Sequence, residues 1–160
     1  MRRFLDHFLA SWTLAAVVLG GAAHGQEPEV NLDDARLAKL HERTVQFLEG
    51  VSLGRADTAL GELLANGPLA KQTDAVKKLV DEIRTLESRY GKYRAFERID
   101  AKRIGQDLVL TRYLYKCENY PVVWYFTYYR DFKRSETVAD SNNWVLIGVR
   151  FDTELELLGF

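Results

Sequence analysis

At Gly91 the hydrophobic period of this chain changes, and that change constrains the fold more than any other feature. Before it, apolar residues recur every three or four positions, the spacing of one helical face. After it they alternate, and β-branched and aromatic residues take over, as strands require. A helical half followed by a strand half predicts an α+β domain, with helices laid on one face of an antiparallel sheet.

Three helices are expected before Gly91. Asn31 or Asp33 can cap the first. Leu37, Leu40, Thr44, Phe47, Leu48 and Val51 line its inner face, and Gly50 and Gly54 bracket its end. The second runs from about Arg55 to Ala65, with Leu60, Leu63 and Leu64 inward. Asn66-Gly67-Pro68 should stop it, with the glycine left-handed and the proline unable to continue. Thr73 or Asp74 can cap the third. Val76, Leu79, Val80, Ile83, Leu86 and Tyr90 form its stripe, and Gly91 is its carboxy-terminal cap.

Strands are expected at about 92–104, 107–118, 121–132 and 143–152. Gly105-Gln106 and Glu118-Asn119-Tyr120-Pro121 read as turns, and the polar stretch 133–142 as a longer link. Short links favour an antiparallel meander. On the last strand Val145, Ile147, Val149 and Phe151 should face the helices. On the third, Val122, Trp124, Phe126 and Tyr128 form the matching face. Val123, Tyr125, Thr127 and Tyr129 form the other, which no remaining helix can cover.

Residues 1–25 read as a cleaved secretory signal: Arg2-Arg3, an apolar stretch of about 16 residues from Phe8 to Ala23, then Ala23-His24-Gly25 before the cut. The stretch is shorter than the roughly 20 residues of a spanning helix. Export is therefore expected, periplasmic or extracellular, with no stable membrane anchor after cleavage. Residues 26–32 read as a loose leader and 33–158 as one domain. Without the signal the chain carries 20 basic and 22 acidic side chains. That balance argues against a nucleic-acid partner, whose phosphates call for a basic surface.

Three stretches carry a resemblance. Gly54-Arg55-Ala56-Asp57 leads into a short helix ending at Gly67-Pro68-Leu69. Trp124-Tyr125-Phe126-Thr127-Tyr128-Tyr129 is an aromatic strand. Asn143-Trp144-Val145-Leu146-Ile147-Gly148-Val149-Arg150-Phe151 is a terminal strand opening with tryptophan. Together they resemble the NTF2-like, or cystatin-like, superfamily over residues 33–158. The resemblance implies three amino-terminal helices on one face of a curled four-stranded antiparallel sheet. It also implies a conical pocket or dimerisation through the sheet, and it transfers no activity.

The chemistry is sparse. The only histidine outside the signal is His41, and the only cysteine is Cys117, so no intramolecular disulfide and no Cys/His zinc site can form. No metal and no cofactor are expected. A Cys117–His41 dyad would need the fold to join them; the plainer reading makes Cys117 a small buried hydrophobe. Asp100, Asp107, Glu118, Asp131 and Asp152 lie near strand ends and read as solvated acids. Arg94, Arg98, Lys102 and Arg103, interleaved with Glu97 and Asp100, read as a solvated edge that discourages strand addition. The unusual feature is tyrosine: residues 113, 115, 120, 125, 128 and 129 are all tyrosine. Tyrosine suits a pocket wall or an interface, so Tyr113, Tyr115, Tyr125 and Tyr129 are the candidate site residues. The expected function is a non-catalytic binding or assembly module that uses its exposed sheet face, as a homodimer for example. The alternative is a pocket for a small apolar ligand, or a small enzyme of acid–base chemistry.

Overall fold

The computed structural model describes residues 35–65, 67–131 and 144–158. The expected signal, the leader, the first helix cap and the link 133–142 lie outside them. Helices α1 (Ala35–Ser52), α2 (Ala56–Leu64), α3 (Thr73–Arg84) and α4 (Leu86–Tyr90) precede strands β1 (Tyr93–Ile104), β2 (Leu108–Cys117), β3 (Val122–Arg130) and β4 (Trp144–Asp152). Single 3-10 turns cover Pro68–Lys71 and Leu155–Leu158. None of the described helices is long and apolar enough to cross a membrane.

The sheet is antiparallel, ordered β1-β2-β3-β4, so β1 and β4 are its edges. Its strands begin and end within two residues of the expected bounds. Irregularities at Tyr93/Ala95, Arg98/Asp100 and Thr127/Tyr128 curl it, because each bulge raises local twist.

The core forms where α1 meets the sheet. Its expected stripe is buried, from Leu37 to Val51. Phe47 packs edge-on against Trp124 and Phe126, with ring centroids 5.2 and 5.8 Å apart. Val122, Trp124, Phe126 and Tyr128 all face this core, as the alternation predicts.

Four local expectations are corrected. The third helix is two, because the chain breaks at Thr85. Its hydroxyl donates to the Glu82 carbonyl, and so does its amide. Thr73 is already helical, and neither it nor Asp74 is the cap; Gln72 precedes the helix without a side-chain capping bond. Gly67 is not left-handed, at φ −91°. It is needed for close approach: a Cβ there would lie 3.2 Å from the carbonyl oxygens of Leu146 and Leu64. On β4 the expected inward set is half wrong. The bulge opposite Thr127/Tyr128 shifts the alternation at Ile147, so Trp144 and Leu146 enter the core with Val149 and Phe151. Val145 pairs with Tyr129 on the other face, and Ile147 is 38% exposed.

Gly91 does end the helix, as the C-cap of α4, at a positive φ of 88° that favours glycine. The β2–β3 turn docks beneath it, with the amides of Glu118 and Asn119 donating to the carbonyls of Lys92 and Tyr90.

Candidate functional site

One helix carries most of the polar chemistry. His41 and Thr44 stand one turn apart on α1, both toward the sheet. His41 Nδ1 lies 2.6 Å from the Tyr113 hydroxyl, with the two rings nearly parallel. Thr44 Oγ1 donates to the Leu40 carbonyl at 2.9 Å. Its single proton is thereby used, so at 2.7 Å the Tyr128 hydroxyl donates to Thr44. Arg43 lies over the Tyr128 ring and donates to the carbonyls of Trp144 and Leu63. The helix thus bonds to β2 and β3 by two tyrosine hydroxyls and ties to β4 through one arginine.

Burial sets the protonation of this row. It pushes Tyr113 well above the ordinary tyrosine range and Tyr128 up to about 12. It pulls His41 below 6.5, and the neighbouring Arg98 charge pulls in the same direction. The hydroxyls stay protonated and the imidazole favours its neutral form.

Beside this row, between the end of α1, α4 and the β1–β2 pair, lies a cleft of about 290 Å³. Tyr93, Tyr115, Cys117 and Leu86 are among its walls, with Glu87 and Lys92 at its rim. Tyr93 and Tyr115 pack with centroids 4.8 Å apart. Burial raises the Cys117 thiol and the Tyr115 hydroxyl. Cys117 and His41 do not form a dyad: His41 is bonded to Tyr113, and Cys117 lies in the cleft.

The tyrosine candidates therefore divide. Tyr113 and Tyr115 are buried on the helix side. Tyr125 and Tyr129 lie on the other face, Tyr129 being 41% exposed. Cross-strand register builds two rows there. Ile104, Leu108, Tyr129 and Val145 make one, running across all four strands. Asp100, Arg112, Tyr125 and Arg150 make the other. Arg112 grips Asp100 through two nitrogens. The Arg150 guanidinium sits 3.9 Å from the Tyr125 ring centre and pairs with Asp152.

The acids read as solvated are mostly engaged. Asp100 holds Arg112, Asp107 holds Arg130 at 3.3 Å, and Asp152 holds Arg150. No cluster of three or more potential metal ligands occurs among the described residues. Reading the sequence missed Thr44, Tyr128 and Arg98 as polar partners. The available signal was a threonine inside an otherwise apolar helical stripe. Comparison with family models, with curated proteins and with solved structures finds no match for this chain.

Proposed function

We propose that this domain is an exported, non-catalytic binding and assembly module of NTF2-like type, and that its open sheet face pairs with a second copy of itself. The observation that carries this reading is the exposed pair Ile104 and Tyr129 in the apolar row Ile104–Leu108–Tyr129–Val145, a row whose Val145 end is itself buried, as is Val123 on the same face. Ile104 and Tyr129 are 45% and 41% exposed on a sheet face, a position where apolar side chains favour a partner.

Charge order supports a second copy as the occupant. A twofold axis along the strands would lay β1 of each chain over β4 of the other. Asp100 would then oppose Arg150, Arg112 would oppose Tyr125, and Leu108 would oppose Tyr129. Such self-complementarity is what an isologous interface needs. Glu97 and Asp152 would meet as like charges, but each already carries a cation, Lys116 and Arg150 respectively. A binding role rather than catalysis is supported by the direction of the ionisations. Burial moves Cys117, Tyr113 and Tyr115 away from their reactive anionic forms.

Sedimentation equilibrium tests the reading. The wild-type domain should be a dimer at micromolar concentration, and Ile104→Glu with Tyr129→Glu should be a folded monomer. A wild-type monomer, or a dimer that survives both changes, would overturn it.

A further inference from the structure

We infer that Arg98 and His41, the latter positioned by the buried Tyr113, form a binding site for an organic carboxylate with an apolar body. Arg98 stands directly opposite Tyr113 in the β1–β2 register, so the two side chains share the helix-facing side of the sheet. Its charge reaches both His41 and Tyr113. Arg98 is half-buried, yet among the described residues no carboxylate lies within ion-pair distance of it. Arg55, Arg89 and Arg94 likewise have no carboxylate at that distance but are exposed, and the other arginines differ. Arg84, Arg112, Arg130 and Arg150 each hold an aspartate, and Arg43 holds two backbone carbonyls.

A guanidinium drawn partly out of water without an anion is held at a cost. An incoming carboxylate would remove that cost with two parallel N–H···O bonds. His41 adds a second donor. In the tautomer in which Tyr113 donates to Nδ1, the ring proton sits on Nε2, from which it can be given to an oxyanion. One fixed positive charge matches a monoanion better than a phosphate.

The apolar body also has a place. Phe96, half-buried, is paired with Tyr115 next to the Arg98–Tyr113 pair. Tyr93 packs beside Phe96 with centroids 6.4 Å apart. Both Tyr93 and Tyr115 line the 290 Å³ cleft. A carboxylate at Arg98 would lay a short aliphatic chain over Phe96 toward that cleft, where burial of its methylenes favours binding.

Isothermal titration of the full chain with octanoate tests this, and its readout is independent of oligomeric state. Saturable binding is expected. Arg98→Gln should weaken it by about tenfold or more, the loss of a charged fork. Arg98→Lys should fall between, because it keeps the charge and loses the fork. Octanol, equal in chain but uncharged, should bind at least about tenfold more weakly than octanoate. Urea midpoints of both variants should not fall below wild type, which separates lost binding from lost folding. No saturable binding of octanoate, equal binding by octanol, or binding untouched by Arg98→Gln would each overturn the inference.

Discussion

Gly50 and Ala59 meet where α1 crosses α2, and nothing larger than hydrogen fits between them. A Cβ built on Gly50 would stand 2.5 Å from the Ala59 Cβ. The contact is buried on both sides, and it lets the two helices approach closely enough to enclose Leu48, Leu60 and Leu63. Gly50→Ala should therefore destabilise the domain by about 1–3 kcal/mol through overpacking. Gly61→Ala is the control. It lies on the exposed side of α2 with no atom within 4 Å of the added Cβ. It should stabilise by about 0.4–1 kcal/mol, because glycine in a helix interior costs backbone entropy. Urea unfolding of the two variants checks the pair, and equal effects would contradict the contact.

Thr44 and Tyr128 give a second prediction. Thr44→Val keeps the shape but leaves the Tyr128 hydroxyl buried without its acceptor, a loss of about 1–3 kcal/mol. Adding Tyr128→Phe removes the orphaned group as well. The double variant should recover part of that loss, so the two changes will not add. Denaturant midpoints for the four-member cycle decide it.

These contacts also mark what the sequence could reveal. Periodicity located α1, α2 and the strands, because each buries one face and burial fixes the period. It read Gly50 as a helix end, since a glycine's neighbour across a helix crossing is invisible along the chain. It placed Val145 and Ile147 inward because an alternating pattern cannot announce a bulge. A single extra residue on β4, Ile147, opposite Thr127/Tyr128, reverses every side chain of that strand on one side of it. The His41–Tyr113 bond joins residues 72 positions apart, and only the crossing of α1 over β2 brings them together. Arg98 looked like one more edge charge. Its register opposite Tyr113 turns it toward the helices.

Cys117 should be a slow thiol. It is 9% exposed, and burial raises its pKa above 9.0. With a disulfide reagent at pH 8, the folded chain should react at least about tenfold more slowly than the urea-unfolded chain, because the thiolate is the nucleophile and access is limited. A folded rate equal to the unfolded one would put Cys117 at the open surface of the cleft.

His41 sets a pH dependence whose sign follows from its surroundings. Its pKa in the folded chain lies below the unfolded value of 6.5, first through burial and then through Arg98. The folded state therefore binds fewer protons than the unfolded state in the window just below pH 6.5. Stability from this group is fully present above that window and is lost as pH falls through the folded pKa. The urea midpoint should drop as pH falls below about 6.5, and His41→Gln should flatten that drop. Arg98→Gln removes the repelling charge, so the His41 titration followed by proton NMR should move upward toward 6.5 without reaching it, because burial remains. A titration unmoved by Arg98→Gln would mean that the guanidinium does not act on the ring. A titration at or above 6.5 in the wild-type domain would mean that the imidazole is not desolvated by the helix–sheet crossing at all.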